Sequence, residues 1–345
     1  MRVTLRDIAR RACVSTSTVS RVLNGYPYVS EATRAAVWQA AQDLGYPLNA
    51  LRRPRRATRT VLLLTYYRVV PHDEPDMYPV SGHLERMISS GAQSVFESHG
   101  IATRIQRTDM QAKEARQYAD DPAVTGLILM GGIVDRDFVQ NLQALGVSFV
   151  VAGAHVQPLR VDCVMADVFR GMEQVVTHLI ERGRKRIGLV NGPPTTTTSE
   201  EKYKGFRLTL CEHRLPFSPE QVVSADFKPE AGYEQTLRLL AQVQDLDAIV
   251  YAHDAMALGG LCAIRESGYR VPADIAITGF HNEEIARFTD PPLTSVHFDA
   301  RMLGVIAARR LCMMIEEPDG ENWHILLPTS LVVRGSTEGR SLSVE

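Results

Sequence analysis

The chain has 345 residues, 45% of them apolar and 23% charged, a soluble globular composition long enough for two or three domains. Its net charge of −2 averages two unlike parts: residues 1–60 hold eleven arginines, no lysine and three acids, giving +8, which leaves −10 on the remainder. Five scattered cysteines without a C-x-x-C pair argue against a disulfide framework or a zinc site, and no apolar run reaches membrane-spanning length.

In chain order, Leu5, Ile8, Ala9 and Ala12 fall at helical spacing behind Thr4 as N-cap. Ser15 can cap a second helix to about Leu23, which "NG" at 24–25 stops, and Ser30 a third that runs to Gly45. Three short helices with a tight break between the first two predict a helix-turn-helix unit. In that geometry the second helix enters the DNA major groove with its N-terminal residues against base edges. Thr16 and Ser17 are short enough for close approach, and Arg21, one turn on, can donate to guanine O6 and N7. Val19, Val22 and Leu23 would hold the helix to its partners. The +8 charge fits a polyanion partner.

The stretches "TLRDIARRACVSTSTVSRVLNG" and "VSEATRAAVWQAAQDLGYPLNAL" resemble the DNA-binding head of the LacI/GalR family of bacterial transcription regulators almost without a break from Thr4 to Leu51. The resemblance implies base reading by Thr16, Ser17 and Arg21, and backbone contacts by Thr4, Ser20, Asn24 and Tyr46. Cys13 departs from the glycine usual in the turn.

The basic connector, residues 49–60, reads by itself as a charged linker. The resemblance implies a hinge that becomes helical on DNA and enters the minor groove, bringing Asn49, Arg52 and Arg55 to it. Arg55 stands where the family wedges a leucine between base pairs, and Pro54 precedes it. Proline inside a helix costs about 3 kcal/mol, and arginine suits a narrow A·T-rich groove, so this hinge is expected to read groove shape more than it kinks DNA.

From Val61 strands and helices alternate. "VLLLTYY", "GLILMGG", "SFVVAG", "VDCVMADV", "RIGLVNGPP", "LDAIVYAHD" and "DIAITGFHN" read as strands, with helices near 82–99, 137–145, 171–182, 201–213, 230–243 and 255–267. Continuous β-branched runs between amphipathic helices predict parallel sheets covered on both faces. About 280 residues exceed one sheet's core, so two similar lobes are expected.

This region also resembles the family's effector-binding core, a periplasmic-binding-protein-like pair of lobes. The fold class expected is therefore α/β, two-lobed and doubly wound with parallel sheets, behind a small all-α helix-turn-helix domain. The divisions are 1–48 for the head, 49–60 for the hinge and 61–345 for the effector-binding and dimerisation domain. The resemblance puts the crossings between lobes near Val156, Pro291 and Asn322, giving an N-lobe of about 61–156 and 291–322 and a C-lobe of about 157–290 and 323–339.

Ligands in such sheets bind beyond the carboxyl ends of strands. That places Asp167, Arg170, Thr196, Thr198, Lys202, Phe227, His253, His281 and Phe298 in the cleft. Neutral-sugar members of the family usually carry arginine at position 202, an amide at 253 and an acid at 281. Here imidazole replaces the acid and Arg170 and Lys202 add cationic donors, which suits an anion such as a sugar acid or phosphorylated sugar. Lys202 with "GFH" also resembles the gluconate-responsive branch. A neutral-sugar regulator is the alternative.

Enzymatic sites are not evident. "GPPTTTT" lacks phosphate-loop spacing, no G-x-S-x-G elbow accompanies His253-Asp254, and no cluster has metal-ligand spacing, so neither cofactor nor metal is expected. A solute-binding protein would share the lobes but carry a secretion signal, whose apolar core "MRVTLRDIARRA" lacks. The reading is a cytoplasmic, nucleoid-associated homodimeric regulator, a repressor of a catabolic operon, with double-stranded pseudopalindromic operator DNA and a small effector as partners and no membrane association.

Overall fold

The structure, a computed structural model, describes residues 4–23, 29–44, 59–66, 82–132, 134–316 and 320–338, with backbone alone at 20, 21 and 23. The chain divides into two compact units, 1–58 and 59–345.

In the first unit, α1 (Leu5–Arg11), α2 (Thr16–Leu23) and α3 (Glu31–Asp43) enclose a small core of Ile8, Ala9, Val19, Val22, Val37, Ala40 and Ala41. Each start is fixed by a short polar side chain. Thr4 donates through its N–H (2.9 Å) and hydroxyl (2.6 Å) to Asp7, while the hydroxyls of Ser15 and Ser30 accept from the backbone N–H of Thr18 (3.1 Å) and Thr33 (3.3 Å). The break between α1 and α2 turns at Cys13, in the left-handed region at φ 54°. A small side chain occupies the conformation that favours glycine.

The second unit holds two six-stranded sheets. The first is built from β1 (Thr60–Tyr66), β2 (Ala102–Thr108), β3 (Val124–Met130), β4 (Phe149–Ala152), β5 (Cys163–Ala166) and β11 (His324–Leu327) in the order β11-β5-β4-β3-β1-β2, all parallel. The second has β6 (Ile187–Asn191), β7 (Val222–Ser224), β8 (Ala248–Tyr251), β9 (Ala276–Phe280), β10 (Thr294–His297) and β12 (Ser330–Val332) in the order β12-β10-β9-β8-β6-β7, parallel except where β12 meets β10. Each lobe thus repeats one winding, its second strand outside its first and the later four on the other side. The strand order reverses between β1 and β3 and between β6 and β8, which is where a crevice opens in such folds.

The alternation inside a strand explains the two-sided cover. Val61 and Leu63 face a core shared with α4 (Gly82–Ser98) and α11 (Ala300–Glu316). Leu62 and Leu64 face α5 (Ala115–Asp120) and α6 (Arg136–Ala144). In the second lobe α7 (Val168–Glu181) and α8 (Thr197–Glu212) cover one face, α9 (Pro229–Gln242) and α10 (Asp254–Glu266) the other. Helices α4 and α11 approach so closely that a Cβ on Gly304 would lie 1.9 Å from the carbonyl oxygen of Ile88.

Five strands, β2, β7, β10, β11 and β12, escape the sequence pattern. β2 and β7 are sheet edges with mostly exposed or half-buried side chains, so neither shows a continuous apolar run. The expected crossings need correction. β5 pairs with β4 and β11, so the chain leaves the first sheet at Asp167, not near Val156. β10 pairs with β9, so the return falls at Phe298 and Asp299 rather than Pro291. The third crossing lies between β11 and β12, at Pro328 and Thr329 rather than Asn322. Strand pairing, which local composition does not encode, sets all three.

Candidate functional site

In the head, Thr16 and Ser17 are exposed at the start of α2, while Val19 and Val22 on its other side are buried. Ser15 and Ser17 share a hydrogen bond (2.7 Å), so the second hydroxyl is oriented by the capping serine. Thr4 is exposed, its hydroxyl taken by Asp7. Arg21 and Ser20 lie on α2 without described side chains, and Asn24, Tyr46, Asn49, Arg52 and Arg55 fall outside the described residues.

In the sensor unit, α8 and the carboxyl ends of β7, β8 and β9 bring Lys202, Phe227, His253 and His281 together. His253 caps α10: its Nδ1 accepts from the N–H of Ala255 (3.1 Å), which leaves its ring proton on Nε2, 3.9 Å from a Glu283 oxygen. Its ring lies 5.8 Å from Phe227 and 4.4 Å edge-to-face from His281. Phe227 in turn rests against Gly192, where a Cβ would come within 2.5 Å of its ring. Lys202 is buried, donates from Nζ to the carbonyl of Ala252 (2.8 Å) and stands 4.2 Å over the Phe280 ring.

Burial governs the charges. It draws Lys202 down to about 7 against an opposing pull from Asp254. His253 falls to about 3 through burial, then through Lys202 and His83. His281 is lowered well below the ordinary value by burial and by His253, Lys202 and His83. Burial raises the Glu283 carboxyl, with Arg86 opposing.

The turn that carries His281 is strained: His281 and the following Asn282 are left-handed, at φ 96° and 52°. A buried polar network holds it. Asp254 accepts from the Ser295 hydroxyl (2.6 Å) and the Glu283 N–H (2.7 Å), and Arg334 donates to the Asn282 side chain (2.6 Å). Burial raises Asp254 to about 7. His281 packs 5.4 Å from Phe298, and its Nδ1 is sealed without a hydrogen-bond partner. Beside it opens a cavity of about 100 Å³ lined by His83 and Met87 of α4, by Glu283, His297 and Phe298, and by Asp299 at the second crossing.

Not every expected residue joins this group. Arg170 is exposed and its guanidinium binds Glu173 one turn on (2.6 Å). Asp167 caps α7 through the N–H of Arg170 (3.0 Å) and lies at the first crossing, where its N–H meets the Leu327 carbonyl (2.9 Å). Thr196 is a buried cap on α8, bonded to Ser199 (2.6 Å). Thr198 lies 3.6 Å from the place a Cβ on Gly132 would take, and Thr197 donates to the His155 carbonyl (2.9 Å), so the start of α8 touches the first lobe. His83, Asp254, Glu283 and His297 were missed. Glu283 stands only two residues past the "GFH" strand end, and His83 comes from the other lobe, which no spacing in the chain reveals.

A helix-turn-helix head with an exposed hydroxyl helix, joined in one chain to a two-lobed binding fold with polar groups in the crevice, defines a ligand-responsive DNA-binding regulator. Residues 4–49 match the model of bacterial regulatory proteins of the lacI family, and residues 176–337 that of a periplasmic binding protein-like domain. The chain belongs to the LacI family of bacterial transcription regulators. It is 31% identical to the HTH-type transcriptional repressor PurR of Pasteurella multocida over 98% of this chain and 99% of that one. It is also 31% identical to the HTH-type transcriptional regulator CelR of Thermobifida fusca, over 97% and 98%. Among solved structures it resembles a CelR–cellobiose complex (TM-score 0.73, 30% identity, covering 97% of this chain and all of that one). It likewise resembles the Lac repressor dimer bound to operator and the anti-inducer ONPF (TM-score 0.73, 26% identity, 98% and 99%). Among the described residues no helix is long and apolar enough to cross a membrane.

Proposed function

We propose that this protein is a homodimeric transcriptional repressor, which reads a pseudopalindromic operator with its two heads and is controlled by an anionic sugar derivative, such as a sugar acid or sugar phosphate, held between its lobes. Base reading falls to Thr16, Ser17 and Arg21, backbone contacts to Thr4, Ser20, Asn24 and Tyr46, and minor-groove contacts to Asn49, Arg52 and Arg55. The effector meets Lys202, Phe227, His253, His281, Thr198 and Phe298, with His83 and Glu283 added to the residues expected from sequence. The observation that carries the effector class is three nitrogen bases, Lys202, His253 and His281, packed around one strand-end crevice. Closing the lobes about the crossings at Asp167, Phe298 and Thr329 would couple occupancy to the heads, and the coupling is reciprocal.

Glu283 favours a second reading. Its carboxyl, 3.9 Å from His253, supplies an acceptor for sugar hydroxyls where position 281 has lost one, and a relative is solved with cellobiose. A thermal-shift panel of aldonates, ketoaldonates, sugar phosphates and neutral sugars decides, because a ligand of the native state raises Tm with occupancy. The same ligand should then change retention of operator DNA in a mobility-shift assay. A rise with neutral sugars alone would replace the anionic reading.

A further inference from the structure

The nitrogen bases of the crevice carry little standing charge. The Ala255 N–H occupies Nδ1 of His253 and thereby holds that ring in its neutral Nε2–H form. His281 presses edge-on against His253 and sits between Phe280 (5.8 Å) and Phe298 (5.4 Å), where an imidazolium would face a second ring and a lysine. Lys202 has a carbonyl and an aromatic face for its Nζ, a setting that accepts an ammonium, yet it is enclosed at 3% exposure. Among the described residues, the charged or titratable groups facing them are Glu283 and Asp254 from the second lobe, His83 and Arg86 from α4, and His297 and Asp299 at the cavity wall.

We propose that an anionic effector enters this crevice together with protons: its carboxylate is neutralised by protonation of the Lys202–His253–His281–Glu283 cluster on binding, and not by a positive charge already in place. The inference rests on the anionic reading given above. An anion beside these groups favures the protonated form of every one of them, so each pKa rises on binding and protons are taken up. Binding that takes up protons strengthens as pH falls. Lys202, drawn down to about 7 by burial, is the first group to respond. The uptake is therefore largest above pH 7 and fades below about pH 6, where the lysine is already an ammonium. The effector's affinity would then report acidification as well as its own concentration.

Isothermal titration of the full-length protein tests this with D-gluconate, D-galactonate or 2-keto-D-gluconate, whichever the thermal-shift panel selects. Heats measured in phosphate and in Tris, buffers of different ionisation enthalpy, give the protons taken up. The expected result is close to one proton per site at pH 8, and an affinity that drops roughly five- to tenfold from pH 7.5 to pH 8.5. Lys202→Met should abolish most of that uptake and flatten the slope, with cooperative thermal melting showing that the variant is folded. Tight binding of a sugar acid with no uptake and a flat pH profile would overturn the inference and leave the anionic reading standing. If only neutral sugars bind, both fall together.

Discussion

Lys202→Met should make the protein more stable at neutral pH. Drawing this lysine from 10.5 to about 7 means that its ammonium is disfavoured in the fold by about 5 kcal/mol. Because the folded value is depressed, the folded state holds fewer protons than the unfolded chain between pH 7 and 10.5, so the penalty is full below pH 7 and vanishes as pH rises towards 10.5. Methionine keeps most of the volume and removes the charge, but it also removes the donor to Ala252 and the cation over Phe280, a loss of about 1–3 kcal/mol. The net gain at pH 7 is then about 2–4 kcal/mol, which for a unit of this size raises Tm by roughly 5–10 °C. Calorimetry at pH 7 and pH 9.5 should show the advantage shrinking at the higher pH. A variant no more stable than the parent at pH 7, or an advantage that does not change with pH, would show that Lys202 carries no burial penalty.

Other perturbations separate packing from recognition. Gly304→Val must push α11 from α4, since its Cβ would lie 1.9 Å from the Ile88 carbonyl; a loss of about 2 kcal/mol or more is expected in urea denaturation. Asp162 accepts from buried Arg310 (2.6 Å) and the N–H of Trp323 (3.1 Å), and Asp162→Ala, which removes the carboxylate from a buried ion pair, should cost about 3–5 kcal/mol by the same assay. In the head, Arg21→Ala should lower operator affinity by about 1–3 kcal/mol and relax the preference for guanine at one position, read by mobility shift on single-base operator variants.

The three head helices were legible in the sequence because their signals are local. Ser15 and Ser30 cap where hydroxyls stand before apolar spacing, and Val19 and Val22 face inward as the 3.6 period requires. The buried strands β1, β3 and β9 were legible for the same reason, as short apolar runs between helices. Edge strand β2 was not, because an edge has one open side and carries polar residues without penalty.

The cleft divides along the same line. His253 and His281 follow the ends of β8 and β9, so strand–helix alternation in the sequence was enough to nominate them, whereas Lys202 in the second turn of α8 and Phe227 past the unread β7 needed the family resemblance. Only the tertiary structure decided that Arg170 turns outward to Glu173, that Thr196 is spent on capping, and that His83 reaches the crevice from the opposite lobe. Periodicity within the chain determines which faces are buried, and thus the elements. Which strand pairs with which, and so where the chain crosses and what charge survives in the crevice, follows from contacts between separate elements, some as far apart in the chain as Cys163 and His324.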